Sequence, residues 1–339
     1  MGAIWFRGAE FVASLSEMIG FKTGLALSEE RLHAILDDID ASLWPPSDDL
    51  EMRIRSESFE EVFVGVLHRL GAGPPRPMVS PIWEVERRNE DDPARLVVVQ
   101  ALGPQLQEFL TDALSMEQPP SGIDPSSFLA AAENSHGPIG REIGLELLEA
   151  INAYLFQSPF SRIRRVEWSD IRDLDELFRS EHLESRHGAY FDQRFVDFLD
   201  ANFDDIDQIN WRQFEGLAAE FFDRSGLRVA LGPGRNDEGV DIRLWPSEGD
   251  TDDPGPAVTL VQCKRERRRI GKTIVKALWA DVVQEDAKSG LIVTSSSFSP
   301  GARATRTARG YPIEEADRES LRKWIRSMRT PGSGFFLGE

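Results

Sequence analysis

Gly239-Val240-Asp241-Ile242-Arg243-Leu244 is followed, after a short acidic segment, by Ala257-Val258-Thr259-Leu260-Val261-Gln262-Cys263-Lys264. Both runs are short, apolar and bounded by Gly, Pro and Asp, so each reads as a strand, over 239–244 and 257–264. Side chains alternate along a strand, which puts Gln262 and Lys264 on one face and Cys263 on the other. Asp241 lies between Val240 and Ile242 and is expected to project opposite to these two core residues. If the two strands pair, a carboxylate, an amide and an ammonium group meet at one place. Cys263 then reads as a small buried residue with no catalytic task.

The flanking segments extend this reading outward. Trp211 to Arg224 has Phe214, Leu217, Ala218, Phe221 and Phe222 at helical spacing. A strand at 227–232 follows, then the two strands above with an acidic turn at 247–256 between them. Beyond them the pattern predicts a helix over 272–287, a strand over 290–295, a helix over 299–309, a short strand over 311–314 and a helix over 317–328. Alternation of this kind means an α/β sheet covered on both faces. The run Leu291-Ile292-Val293 suits a buried central strand.

Phosphodiester hydrolysis needs an oxygen-rich site for a divalent ion and a cation near the attacking water. Asp241 is the expected main metal ligand, with the Gln262 side-chain oxygen and the Cys263 backbone carbonyl completing the set. Lys264 is placed to orient the water and offset charge in the transition state. Glu215, on the leading helix, reaches the site directly or through a metal-bound water. Taken singly, Asp241 also fits a strand-end turn and Lys264 a solvated strand end.

The combination is more specific. Phe214-Glu215, Gly239-Val240-Asp241-Ile242, Val261-Gln262-Cys263-Lys264, Ile292-Val293-Thr294-Ser295-Ser296 and Phe298-Ser299 occur in this order. Together they resemble the Mrr-like catalytic domain of type IV restriction endonucleases, within the PD-(D/E)xK nuclease superfamily, over about residues 210–328. The resemblance implies a restriction-endonuclease-like mixed sheet flanked by helices. It also implies Mg²⁺ or Mn²⁺ at Asp241 and Gln262, Lys264 as the catalytic lysine and Glu215 as the helix acid. That family carries Gln where most of the superfamily has Glu or Asp, so Gln262 agrees with its pattern. Asp237 matches the first place of the family's Asp-x-Gly lead-in and is expected to shape the loop, while Glu238 departs from the small or polar residue usual there. Thr294, Ser295 and Ser296 are expected either to border the site or to satisfy turn backbone.

A net charge of −19 would ordinarily argue against a nucleic-acid partner, but its distribution is uneven. Residues 1–210 hold 18 Lys and Arg against 39 Asp and Glu, whereas residues 211–339 hold 21 against 19. Lys264, Arg265, Arg267, Arg268, Arg269, Lys272 and Lys276 cluster with only Glu266 opposing them. Such a cluster can neutralise phosphates, although most basic runs are solvated loops. Arg303, Arg306 and Arg309 recur on one helix face and are further candidates for the DNA backbone.

The N-terminal part, 1–205, reads as mainly α-helical and acidic, with helices near 9–20, 28–43, 47–70, 104–115 and 138–156. Its small β element is expected at Ile82 to Val85 and Leu96 to Leu102. A charged helical stretch is expected over 166–201, two subdomains with a break near 118–137, and a turn at Gly137-Pro138-Ile139-Gly140. The nuclease domain is expected over 206–339. The single cysteine excludes an internal disulfide and a Cys-based zinc site, and His182 and His187, with four residues between them, read as part of a solvated helix end. No apolar run reaches membrane-span length, so a cytoplasmic protein with no membrane partner is expected. The functional expectation is a Mg²⁺-dependent endonuclease on double-stranded DNA in restriction or phage defence. A regulatory protein or ligand at the acidic region is the expected second partner, and a homodimer is a superfamily expectation. Two alternatives stand beside it: a non-catalytic nucleic-acid- or protein-binding module on the same fold, and a repair nuclease for branched or damaged DNA.

Overall fold

The computed structural model describes residues 2–114, 123–164, 166–234, 239–247 and 255–329. Asp237, Glu238, most of the acidic turn 247–256 and part of the expected subdomain break lie outside the described residues. The chain divides into two compact units, Met1–Arg172 and Asp173–Thr330.

The first unit is mainly helical. Helices Gly8–Thr23, Glu29–Asp40, Ser56–Arg69, Pro81–Arg88, Pro93–Leu114 and Ser126–Gln157 account for most of it. One core cluster joins Val85, Val99, Leu102 and Leu106 to Phe128, Leu129, Ile143 and Leu147. A small β element is present, but not where the sequence suggested: Ala3–Arg7 pairs antiparallel with Glu51–Arg55. The expected strands near 82–85 and 96–102 are helical because end signals outweigh β-branched content. Ser80 caps one helix, accepting from the Trp83 N–H at 3.4 Å ahead of Pro81 in the first turn. Asp92 accepts from the N–H groups of Ala94 (3.0 Å) and Arg95 (3.2 Å) around Pro93. Val98, Val99, Leu102 and Leu106 then fall on one buried face at helical spacing. The helix expected over 47–70 is instead a strand followed by Ser56–Arg69. A φ of 66° at Gly137, with Pro138 behind it, breaks the long helix Ser126–Gln157 at the expected turn.

In the second unit the stretch expected to be helical over 166–201 contains only Glu176–Arg179 and Gln193–Ala201. The unit begins ahead of the expected boundary at 206 because polar groups tie this stretch to the helix Trp211–Arg224. Buried Glu220 accepts from three successive backbone N–H groups, those of Ala189 (2.9 Å), Tyr190 (2.7 Å) and Phe191 (3.2 Å). Gln213 donates to the carbonyls of Ser180 (3.2 Å) and His182 (2.6 Å). Asp192 and Arg194 form an almost fully buried ion pair at 2.7 Å. Burial opposes ionisation of Asp192, but hydrogen bonds and charge from Arg194, with help from Ser185, hold its pKa below the usual Asp value.

The five-stranded sheet runs in the order Leu227–Leu231, Ile242–Pro246, Thr259–Lys264, Ser289–Thr294, Ile313–Ala316. The first three strands are antiparallel and the last two join in parallel, so the sheet is mixed. Helices Trp211–Arg224, Pro300–Arg309 and Arg318–Met328 fall within one residue of the sequence expectation, and Lys272–Gln284 ends three residues before the expected 287. Val240, Leu260, Ile270, Val275, Leu278, Ile292 and Phe298 form one core cluster of this unit. Among the described residues no helix is long and apolar enough to cross a membrane.

Candidate active site

The strand carrying Gln262, Cys263 and Lys264 sits at the centre of the sheet, where antiparallel pairing on one side gives way to parallel pairing on the other. Ile242 lies opposite Val261 in the antiparallel ladder. One residue earlier the regular strand has ended. Asp241 still donates its backbone N–H to the Val261 carbonyl (2.9 Å), and its side chain turns back onto the neighbouring strand. There Asp241 Oδ2 accepts from the Cys263 N–H at 2.6 Å. Asp241 and Gln262 are therefore brought together at the end of one strand pair, and both are buried.

Gln262 is held from below by the chain preceding Asp241. Its Nε2 donates to the Gly239 carbonyl at 2.8 Å, which fixes the amide so that Oε1 faces the other way. That oxygen is buried and has no hydrogen-bond partner among the described residues. Gly239 has φ 95°, and a Cβ there would lie 3.1 Å from Gln262 Nε2, so this close approach needs glycine.

Glu215 projects from the helix Trp211–Arg224 and is buried. Its Oε2 pairs with Arg212 Nη1 at 2.7 Å. The second nitrogen of Arg212, Nη2, donates to the Gly232 carbonyl at 2.8 Å, and the Gly232 N–H in turn donates to the Asp241 carbonyl at 2.8 Å. Burial pushes the pKa of the Cys263 thiol well up, the carboxylates of Asp241 and Glu215 push it further, and the Lys264 ammonium opposes them. Cys263 is thus a buried protonated thiol, as its residue type suggested, with its backbone N–H engaged by Asp241. Arg212 was not singled out in the sequence; its signal is a short one, an Arg three residues ahead of Glu215 in a helix whose first turn is capped by Asn210 at 2.8 Å.

A buried acceptor left without a donor costs about 1–3 kcal/mol. The lone Gln262 oxygen beside the Asp241 carboxylate is the donor set that a hard divalent cation takes. N–H and C=O of one strand residue point to the same side, so the Cys263 carbonyl faces the side on which its N–H meets Asp241. Among the described residues no group of three or more His, Cys, Asp or Glu side chains is arranged to hold a metal. An ion at this place would rest on one carboxylate, one amide oxygen and backbone.

The basic segment after Lys264 divides into two parts. Arg265 Nη1 donates to the Asp207 carbonyl (3.1 Å) and Arg267 pairs with the Asp207 carboxylate (2.7 Å). Arg268, Arg269, Lys272 and Lys276 are exposed and have no hydrogen-bond or ion-pair partner among the described residues. The backbone of this segment is fastened to the next strand: Thr294 donates to the Lys264 carbonyl (2.8 Å), Ser295 both accepts from the Glu266 N–H (3.0 Å) and donates to its carbonyl (3.1 Å), and Ser296 donates to the Arg267 carbonyl (3.3 Å). Of the two roles expected for these hydroxyls, satisfying backbone is the one seen. On the helix Pro300–Arg309, Arg303 and Arg306 both turn to Glu315, at 3.0 and 3.8 Å, and Arg309 bonds the Tyr311 hydroxyl at 3.0 Å.

Comparison with known proteins bears on the second unit. Residues 206–325 match the restriction endonuclease family, in its Mrr catalytic-domain form. An uncharacterized protein of Sinorhizobium fredii, y4cE, is 28% identical over 122 residues, which are 35% of this chain and 30% of that protein. The chain therefore spans less than a third of the length of this curated relative. Among solved structures, the MspJI restriction endonuclease in complex with a 27-mer oligonucleotide matches with 22% identity and a TM-score of 0.29, covering 52% of this chain and 38% of that one.

Proposed function

We propose that this chain, whose second unit carries a restriction endonuclease domain, is a divalent-metal-dependent endonuclease that hydrolyses phosphodiester bonds of double-stranded DNA in restriction or anti-phage defence. The observation that carries the reading is the Asp241 carboxylate bound to the Cys263 N–H beside a buried, unpartnered Gln262 oxygen. Asp241, Gln262 and the Cys263 carbonyl would hold the ion. Bound there, Mg²⁺ or Mn²⁺ would acidify a coordinated water and draw charge from the phosphate. Lys264 hydrogen-bonds the attacking water and offsets charge that develops on the phosphoryl oxygens. Glu215 stands behind this group as a fixed carboxylate. Arg268, Arg269 and Lys272 present charge to the DNA backbone; Arg265 and Arg267 do so from their tether on Asp207, and Arg303 and Arg306 contribute less while Glu315 engages them. The acidic first unit takes a regulatory or partner-binding role, because a surface of that sign repels DNA.

The test is cleavage of supercoiled plasmid in Mg²⁺ or Mn²⁺ against chelator, with methylated, unmethylated and branched substrates side by side. The wild type nicks or linearises DNA only with metal, and Lys264→Ala stops it without changing the circular dichroism spectrum. A Lys264→Ala variant that cuts at the wild-type rate rejects the site; preference for branched over linear duplex moves the setting to repair.

A further inference from the structure

We propose that Arg212 is a positioning residue of this site, holding Glu215 and the backbone of Asp241 in one frame while keeping Glu215 out of the ion's ligand set; the inference rests on the nuclease reading above. Three contacts carry it. One prong of the guanidinium meets Glu215 Oε2 at 2.7 Å. The other meets the Gly232 carbonyl at 2.8 Å. Gly232 is itself joined to Asp241, backbone to backbone, at 2.8 Å. The helix acid and the strand acid come from different segments, and Arg212 bonds the first directly and the second only through the Gly232 backbone.

The fit is close. A Cβ built on Gly234 would lie 3.0 Å from Arg212 Nη1, so the loop backbone lies directly against the guanidinium. Arg212 and Glu215 side chains are only 15% and 6% exposed. A buried pair of this kind is costly to break, because separation leaves a desolvated charge. Its charge matters as much as its shape. With Arg212 on Glu215, that carboxylate already has a cationic partner, so its own pull on an incoming cation is reduced. A planar, two-pronged guanidinium does both tasks; an ammonium could supply the charge but not both bonds.

Arg212→Gln and Arg212→Lys in the full chain separate charge from geometry. Mn²⁺ binding is measured directly on metal-free protein without DNA, and single-turnover plasmid cleavage is measured at saturating Mn²⁺. Arg212→Gln should bind Mn²⁺ several-fold more tightly, since a positive charge has left the site, yet cut roughly tenfold or more slowly, since misplacement of the reacting groups costs rate. Arg212→Lys should keep the wild-type Mn²⁺ affinity and still cut more slowly. A loss of packing alone would weaken binding and cleavage together. Because Arg212→Gln breaks the ion pair with Glu215 and could unfold, Arg212→Gln with Glu215→Gln is the second arm: it should cut no more slowly than Glu215→Gln alone. Unchanged affinity and rate in Arg212→Gln, weakened binding alongside slowed cleavage, or additive losses in the double variant each overturn the proposal. Failure of the nuclease reading looks different: wild type then neither binds Mn²⁺ nor cuts.

Discussion

The two units bury charge very differently. Among the described residues the first buries one charged side chain, Lys22, whereas the second buries Asp175, Asp192, Arg194, Glu215, Glu220 and Asp241. The first unit is joined by helix faces of Val, Leu, Ile and Phe, and its lysine is accommodated by the Ile163 carbonyl at 2.7 Å. In the second, an ion pair at 2.7 Å, a carboxylate in a nest of three N–H groups and a forked guanidinium hold the segments around the sheet. Apolar packing tolerates small shifts; fully bonded buried charges do not, since each displaced partner exposes a desolvation penalty. The unit that carries the candidate site is the one built with directional bonds.

This contrast can be broken most severely at Asp241. Asp241→Asn keeps an oxygen for the Cys263 N–H but removes the negative charge, and cleavage should fall on the order of 10²–10³-fold or more with little change in melting temperature. Asp192→Ala should cost about 3–5 kcal/mol by stranding buried Arg194, read as a lower denaturant midpoint for the second unit. Leu147→Ala in the first unit should cost about 2–5 kcal/mol, while a fragment spanning 173–339 and retaining the site should still cut. If the acidic unit restrains the enzyme, that fragment cuts faster than the full chain; an equal or slower rate counts against restraint.

Two titrations sharpen the same difference. Asp192 has a folded pKa below its ordinary value near 3.8. Its contribution to stability is therefore complete above that value and is lost as pH falls through the lower folded pKa. The stability gap between wild type and Asp192→Asn should close under strong acid. Lys22 behaves oppositely: burial draws its pKa from 10.5 to about 8. Between those values the unfolded chain binds the proton that the folded chain has released, so stability should rise with pH across that window. Lys22→Met should lack this rise in pH-dependent melting of the first unit. The smallest effect expected is at the surface, where Arg268→Ala should reduce the slope of log affinity against log salt by about 0.9 if it neutralises one phosphate.

The sheet and its motifs were readable because apolar periodicity and strand alternation dominate from Trp211 onward. Gln262 and Lys264 lie on the strand that alternation indicated, and Asp241 lies just past the end of its neighbour, where Gly239 bends the chain. The first unit was less legible. Val97-Val98-Val99 favours strand by side-chain shape, yet Asp92-Pro93 starts a helix that continues to Leu114 and buries one face. The early start of the second unit was invisible for another reason: nothing local in Glu220 announces that its carboxylate will gather the N–H groups of Ala189, Tyr190 and Phe191. Arg212 was hidden likewise, because its second partner is a backbone carbonyl twenty residues away.

The hydroxyls of Thr294, Ser295 and Ser296 have one more effect. They pin Lys264 to Arg267 before any phosphate arrives. A segment already ordered gives up little conformational freedom on association. If the proposed duplex partner is right, it would meet Arg265 and Arg267 on a backbone already in place, and sites that deform easily would be engaged ahead of rigid ones.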